Sequence, residues 1–305
     1  YERLWHTSVA LDLGALHLDD DLRHWVNGGL MTLFFFVVGL EIKRELVDGR
    51  LADRRDAALP AIAALGGMVA PAAIYLVVNT GGTGSAGWGI PMATDIAFAV
   101  GILAVLGDRV PAALGVLLLG LAIADDIGAI AVIAIFYAAD VSMGWLLAAG
   151  GGLLVVVLMR RAGIVSIALY ATVGAAIWVC TLESGVHATI AGVALGLLTP
   201  ARSAGAGGAG SSSSARSVAE RLEAALHPWT SYLVVPIFAL ANAGVPLSID
   251  ALKDAAGSRI TIGVVLGLVV GKVVGIAAFA WLSVRLGVAR LPPAVGWRHI
   301  LGLGT

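Results

Sequence analysis

Apolar stretches of about 20 residues recur along almost the whole chain, from residue 24 to residue 284. Each stretch is long enough to cross the roughly 30 Å hydrocarbon core of a bilayer as an α-helix. The composition agrees, because 59% of the 305 residues are hydrophobic and only 13% are charged. The sequence therefore predicts an all-α polytopic membrane protein and excludes a soluble globular domain.

Hydropathy places about nine transmembrane helices. They lie near residues 24–47, 57–78, 88–106, 111–138, 143–159, 163–182, 185–199, 229–247 and 260–284. If the loops alternate between the two sides, fourteen of the 19 Lys and Arg residues fall on one side and four on the other, while Lys272 lies inside a span. The positive-inside rule then puts the richer side, including the 200–228 loop, in the cytoplasm. The net charge of −1 does not indicate nucleic acid as a partner.

Two segments interrupt the apolar pattern. Residues 1–23 precede the first span, and their alternation of apolar and polar residues predicts a short extracytoplasmic β-hairpin. Within the transmembrane domain, residues 24–305, the Gly/Ser-rich stretch 201–217 predicts a flexible cytoplasmic linker. Ser217 and Glu220 then have the spacing of a capping box, which predicts a short amphipathic helix along the cytoplasmic surface.

Ionisable residues lie deep inside three of the predicted spans. They are Asp95, Asp125, Asp126 and Lys272. Lys272 is 13 residues from both Arg259 and Arg285, about 20 Å of helix in each direction, which is farther than a lysine side chain extends. At the bilayer midplane each ionised side chain costs roughly 3 kcal/mol or more unless it finds a partner or water.

Three carboxylates and one ammonium leave a formal charge of −2 in a region of low dielectric. Protons or cations must compensate that charge, and the interacting acids then titrate as a coupled set. A small hard cation such as Na⁺ is bound by carboxylate and carbonyl oxygens. Because cation and protons compete for the same charge, a site that opens to each side in turn makes an exchanger. The alternative is that Asp125 and Asp126 only hydrogen-bond neighbouring helices.

The stretch "IPMATDIAFAVG" combines Pro91, Thr94 and Asp95. Pro91 removes a helical hydrogen bond, so the sequence predicts a helix that is broken beside the ion site. Asp95 either compensates the charge of helix N-termini or binds the ion. The alternative interpretation of Pro91 is a proline that starts a span. Lys272 is interpreted as a structural counter-ion or a proton carrier, and the two roles are compatible.

Six motifs, which follow one another in family order over nearly the whole chain, resemble the bacterial NhaA family of Na⁺/H⁺ antiporters. They are "MTLFFFVVGLEIKREL", "PMATDIAFAVGILAVLG", "LAIADDIGAIAVIAIFY", "SGVHATIAGVALGLLTP", "LHPWTSYLVVPIFALANAGV" and "GLVVGKVVGI". The resemblance implies an inverted-repeat transporter fold in the bacterial inner membrane. It implies electrogenic exchange of protons for Na⁺ or Li⁺, rising at alkaline pH, which serves pH and sodium homeostasis. It implies no cofactor besides the transported ions and no enzymatic activity.

The resemblance also assigns roles to residues. Asp126 corresponds to the main Na⁺ ligand, and Asp125 to the neighbour that pairs with Lys272 and shares in proton exchange. Thr94 and Asp95 correspond to the break of a discontinuous helix. The residues implicated in the pH response at the cytoplasmic mouth are Glu41, Lys43, Arg44, Glu45, Glu223 and His227. The N-terminal hairpin matches the family's dimer contact, so we expect a homodimer in membrane lipid.

The chain departs from the family pattern in two respects. Family members have twelve spans, and this chain corresponds to nine, without the first and the last two. The second discontinuous helix is among those not represented, so we expect the fold to be incomplete and the 305 residues alone not to transport. Asn27 is followed by Gly28 where the family often has Asp, and the effect on stability or rate stays open.

Two other classes of function are weighed against an antiporter. An intramembrane aspartyl protease also uses two carboxylates in the bilayer, but those enzymes carry them on separate helices, one within a Gly-x-Gly-Asp motif. A proton- or sodium-coupled symporter for an organic solute is nearer, although no aromatic or arginine-lined pocket is evident in the sequence. The residues leave the pH profile, the preference between Na⁺ and Li⁺ and the stoichiometry open.

Overall fold

The computed structural model describes residues 1–12, 17–47, 54–94, 96–107, 110–138, 140–164, 166–200, 217–245 and 248–304. The α-helices are α1 Glu2–Trp5, α2 Leu22–Trp25, α3 Met31–Val47, α4 Arg54–Val78, α5 Ile96–Leu106, α6 Ala112–Phe136, α7 Met143–Arg161, α8 Ile167–Glu183, α9 Thr189–Leu198, α10 Val218–Trp229, α11 Val235–Asn242, α12 Ile249–Gly257, α13 Arg259–Leu266, α14 Lys272–Arg285 and α15 Trp297–Leu303. The irregular helical segments are a 3₁₀ helix, Thr83–Met92, and π-helical turns at Val26–Leu30, Thr230–Val234 and Gly267–Gly271.

Most predicted spans correspond to apolar helices. In the part of the chain that is described, six helical stretches are long and apolar enough to cross a membrane: Leu22–Val47, Ala57–Val78, Ala113–Phe136, Met143–Arg161, Val218–Asn242 and Arg259–Arg285. Helices α8 and α9 are shorter apolar helices, and the predicted span near 88–106 is divided between the 3₁₀ helix and α5. The molecule is therefore a multi-pass helical membrane protein, and the count of nine spans stays a prediction.

The helical stretch Val218–Asn242 begins earlier than the predicted span 229–247. The predicted capping box starts it, because Ser217 Oγ accepts the Glu220 N–H at 3.2 Å and Glu220 Oε2 accepts the Ser217 N–H at 2.9 Å. Pro228 has no N–H to donate, but the helix does not end there, because it continues through a π-helical turn. The structure thus differs from the prediction of a separate surface helix.

The chain divides into two compact units, and the first comprises Tyr1–Val47 and Ala134–Val245. Its helices α3 and α9 pack closely, since a Cβ added at Gly196 would lie 2.8 Å from the Gly39 Cα. Strands β1, Ser8–Asp12, and β2, His17–Asp21, pair antiparallel. Residues 13–16, where the predicted hairpin would turn, lie outside the described residues.

Asp21 joins this ribbon to the first membrane span. Its carboxylate accepts the His24 backbone N–H at 2.8 Å and so caps α2, and it also lies 2.8 Å from His6 Nδ1. The backbone hydrogen bond from His24, followed by the hydrogen bond to His6, lowers the pKa of Asp21 below its usual value of 3.8. The entry to the first span is therefore held by an ionised cap.

The second unit comprises Asp48–Ile133 and Pro246–Thr305. Here α4 crosses α14 so closely that a Cβ added at Gly275 would collide with the carbonyl oxygen of Gly66. The hydrophobic core of this unit contains Leu59, Ala63, Ala64, Leu114, Leu117, Leu121, Ile276 and Ala280. These residues lie on α4, α6 and α14, so the core fixes together the helices that carry Asp125 and Lys272.

Candidate ion-binding site

Irregular backbone surrounds the buried charges of the second unit. The 3₁₀ helix ends at Met92, and Ala93 then takes an extended conformation, with φ −63° and ψ 140°. On the other side, a π-helical turn leads directly into Lys272. The Pro91 ring packs on this turn, since a Cβ added at Gly267 would lie 2.8 Å from Pro91 Cβ. Thr94 is thereby brought to the helix that carries Lys272.

The Lys272 ammonium is fully hydrogen-bonded inside the protein. Its side chain is 9% exposed, and Nζ forms an ion pair of 3.0 Å with Asp125 Oδ2. The same nitrogen donates to the carbonyl oxygen of Met92 and to the hydroxyl of Thr94. An ammonium has three N–H donors, so each of them has an acceptor. Two of the three acceptors lie where the 3₁₀ helix ends: Met92 is its last residue, and Thr94 follows in the segment after it.

The Asp125 carboxylate is satisfied on one oxygen only. Its side chain is 2% exposed, and Oδ2 accepts hydrogen bonds from Lys272 and from the Thr94 hydroxyl. Oδ1 has no hydrogen-bond partner among the described residues. A buried oxygen without a donor is costly, so its presence in a native site requires an explanation. A cation or a proton at Oδ1 would supply the missing interaction.

Asp126 and Asp95 are the other two acids predicted for the site. Asp126 follows Asp125 on α6 and is partly buried. Because successive helical residues are about 100° apart, the two carboxylates leave the helix in different directions. Asp95 lies outside the described residues, so its predicted role at the helix break stays a prediction. The described residues hold no group of three or more His, Cys, Asp and Glu side chains that could bind a metal ion.

Three of the residues predicted for the pH response meet in the first unit. Arg44 on α3 forms an ion pair of 3.0 Å with Glu223 on α10. A cavity of about 540 Å³ adjoins them and is lined by Arg44, Glu220, Glu223, Ala224, His227 and Pro228. Glu223 Oε2 is buried and has no hydrogen-bond partner among the described residues. The remaining predicted residues, Glu41, Lys43 and Glu45, lie on α3 and are partly buried.

Sequence reasoning missed the polar groups that are not themselves ionisable. The Met92 carbonyl is one, and its position directly after Pro91 was an available signal. Another is a pair of side-chain amides, in which Asn242 Nδ2 donates to Asn27 Oδ1 at 2.9 Å and Asn27 Nδ2 donates back at 3.3 Å. Asn27 lies on the Val26–Leu30 π-helical turn, and Asn242 ends α11.

Comparison with known proteins gives consistent matches over the whole chain. The profile of the family described as Na⁺/H⁺ antiporter 1 matches residues 1–305. The chain is 49% identical over 337 residues to the Na⁺/H⁺ antiporter NhaA 2 of Sorangium cellulosum, covering 100% of the chain and 72% of that protein. It is 47% identical to the Na⁺/H⁺ antiporters NhaA of Shewanella loihica, with 98% of the chain and 74% of the relative covered, and of Proteus mirabilis, with 100% and 76% covered. All three relatives are named as antiporters, which are transporters and not enzymes.

Proposed function

The chain belongs to the Na⁺/H⁺ antiporter 1 family, and on this premise we propose that it exchanges sodium ions for protons across a membrane. The observation that carries the proposal is the half-satisfied carboxylate of Asp125. It is buried beside an extended backbone segment, and the following residue in the sequence, Asp126, carries a second carboxylate. Carboxylates and unwound backbone at mid-membrane are the ligands that transporters use for Na⁺ and protons.

Competition for the two carboxylates accounts for exchange. Asp126 and Oδ1 of Asp125 bind either one cation or protons, because either of these compensates the same negative charge and excludes the other. Lys272 compensates charge in the site, where its Nζ is bonded to three acceptors. Thr94, with Asp95 next to it in sequence, marks the break of the helix in an inverted-repeat fold. Access to the site then alternates between the two sides.

Two carboxylates for one monovalent cation support electrogenic exchange. If both Asp125 and Asp126 bind protons when the cation leaves, more protons enter than sodium ions leave, and net charge crosses the membrane. Li⁺ is a hard monovalent cation as well, so the same oxygens accept it. No resident cofactor takes part. A potential-sensitive dye in proteoliposomes tests the charge movement, and exchange of Na⁺ or Li⁺ without a potential change contradicts it.

The decisive experiment is exchange by the full-length protein in everted membrane vesicles. Adding Na⁺ or Li⁺ to vesicles that hold a proton gradient collapses the gradient, seen as dequenching of a ΔpH dye. Asp126→Asn should abolish the signal, whereas Asp250→Asn, an exposed acid on α12, should leave it intact. Cation-dependent dequenching by Asp126→Asn would disprove the role of that residue. A sodium-coupled solute symporter would give no dequenching without its solute.

The ion pair at the cytoplasmic mouth is the candidate for the pH response. Arg44 and Glu223 connect α3 to α10, and His227 lines the same cavity. The charged or titratable residues of this cluster are Glu41, Lys43, Arg44, Glu45, Glu220, Glu223 and His227. Changing their protonation alters the attraction between the two helices and so regulates exchange for pH and sodium homeostasis. Glu223→Gln should shift the pH profile of dequenching without changing its maximum, and an unmoved profile contradicts the assignment.

We propose the bacterial inner membrane as the location, with the 200–228 loop in the cytoplasm because of the cation excess on that side. The protein then functions as a homodimer through the N-terminal ribbon. A two-stranded ribbon is marginal on its own, and among the described residues no third strand pairs with either edge. Val9 on β1 is 40% exposed. Val9→Pro should weaken the dimer in native gel electrophoresis, and an unchanged dimer refutes this contact.

A further inference from the structure

The segment that delivers Met92 and Thr94 to the ion site needs support from outside itself. It approaches through ten residues of 3₁₀ helix, Thr83–Met92, although 3₁₀ runs longer than three or four residues are uncommon. Lys272 approaches through a π-helical turn, which is also an irregular form. Neither the 3₁₀ helix nor the π-helical turn has a regular α-helical hydrogen-bond pattern, so neighbouring side chains must hold both segments in position.

Tyr75 of α4 contacts both the 3₁₀ helix and α13, the helix that leads to the π-helical turn. It is completely buried, and its hydroxyl donates a hydrogen bond of 2.7 Å to the carbonyl oxygen of Gly84, near the start of the 3₁₀ helix. The same hydroxyl packs on Gly87, where an added Cβ would lie 2.5 Å from it. The Tyr75 ring packs on Gly263 of α13, where an added Cβ would lie 3.0 Å from Cδ2. Helix α13 leads through the π-helical turn to Lys272.

Asn79 completes this contact four residues after Tyr75, directly beyond the end of α4. It is 3% exposed, and its Nδ2 donates to the carbonyl oxygen of Tyr75 at 3.0 Å. Its amide lies so close to Gly263 that an added Cβ there would be 2.5 Å from Nδ2. Tyr75 and Asn79 are therefore a buried polar pair that sets the spacing between the 3₁₀ helix and α13.

We infer that Tyr75 is a positioning residue for the ion site, and this inference rests on the proposed function. From Gly84 to Met92 the 3₁₀ helix spans about 16 Å, so a tilt of about 5° at the Tyr75 end moves Met92 by about 1.4 Å. A displacement of that size separates the Met92 carbonyl and the Thr94 hydroxyl from Lys272, and it changes the oxygens offered to the cation. The Tyr75 hydroxyl thus acts on cation affinity without touching the cation.

The test is Tyr75→Phe in the full-length protein, because it removes only the hydroxyl and keeps the ring. The apparent KM for Na⁺ in the dequenching assay should rise about fivefold, the factor produced by one hydrogen bond, while the maximal rate stays near that of the wild type. Gly87→Ala, which pushes on the hydroxyl from the 3₁₀ helix, should reproduce the effect. Tyr232→Phe, a change of the same chemistry at a side chain that is 84% exposed, should leave KM unchanged.

Hydrogen–deuterium exchange gives a result that does not depend on transport. Peptides covering 83–94 should exchange faster in Tyr75→Phe than in the wild type, and peptides of α7 should not change. Unchanged exchange at 83–94, an unchanged KM, or a fall in maximal rate with KM unaltered would each overturn the positioning role. If the wild type itself shows no Na⁺-dependent dequenching, the proposed function fails, and the exchange data alone decide the placement of the 3₁₀ helix.

Discussion

Removing Lys272 should destabilise the protein more than neutralising its partner does. In Lys272→Ala, the Asp125 carboxylate keeps, among the described residues, the Thr94 hydroxyl on Oδ2 and no partner on Oδ1. In Asp125→Asn, by contrast, the ammonium keeps the Met92 carbonyl and the Thr94 hydroxyl as acceptors. The first change leaves a buried charge almost uncompensated. The second replaces one charged acceptor of the ammonium by a neutral, weaker one and leaves the other two acceptors in place.

The magnitudes follow from this difference. Breaking a buried ion pair by removing one partner costs about 3–5 kcal/mol, whereas losing one charged hydrogen bond costs about 1.5–3 kcal/mol. At about 2.1 cal/mol/K per residue, unfolding 305 residues releases roughly 0.6 kcal/mol/K of entropy. Lys272→Ala should therefore lower Tm by about 5–8 °C, and Asp125→Asn by about 2–5 °C.

Intrinsic fluorescence of the eight tryptophans during heating in detergent measures these shifts. Lys253→Ala is the control, because Lys253 is 74% exposed and only 3.9 Å from an exposed Asp250, a pair whose loss should move Tm by less than about 1 °C. If Lys272→Ala lowers Tm no more than Asp125→Asn does, the two buried groups do not differ in the compensation that they keep, and the reasoning is refuted.

Three further changes test packing, capping and pH dependence. Gly275→Ala places a methyl group against the backbone of 54–78 and should cost about 1–3 kcal/mol in thermal unfolding, whereas Gly101→Ala, with open space around it, should not destabilise. Ser217→Ala removes the capping box and should cost about 1 kcal/mol locally, seen as faster amide exchange in the first turn of α10. Because the pKa of Asp21 is lowered in the folded state, its stabilisation is complete above pH 3.8 and is lost as the pH falls through the lowered pKa, so amide exchange in β2 should accelerate there in wild type but not in Asp21→Asn.

Hydropathy and spacing determined the broad architecture from sequence. Burial of an apolar stretch depends on about 20 neighbouring residues and not on distant partners, so the membrane-spanning stretches and the depth of Lys272 could be predicted locally. The capping box at Ser217 is equally local, since both of its hydrogen bonds close within four residues. The disturbance at Pro91 was predicted for the same reason, because proline lacks an N–H wherever it stands.

Only the tertiary structure decided which oxygen meets which donor. Lys272 and Asp125 are 147 residues apart, and the rotation of both helices about their axes decides whether they touch. The residues alone did not say which of the two adjacent acids pairs with Lys272, and the resemblance to the NhaA family had to supply it. The Met92 carbonyl and the Tyr75 hydroxyl carry no charge, so neither residue stood out in the sequence from the apolar stretch around it. Close packing of α4, α13 and α14 at glycines brought them into place, and such packing depends on shapes that meet only after folding.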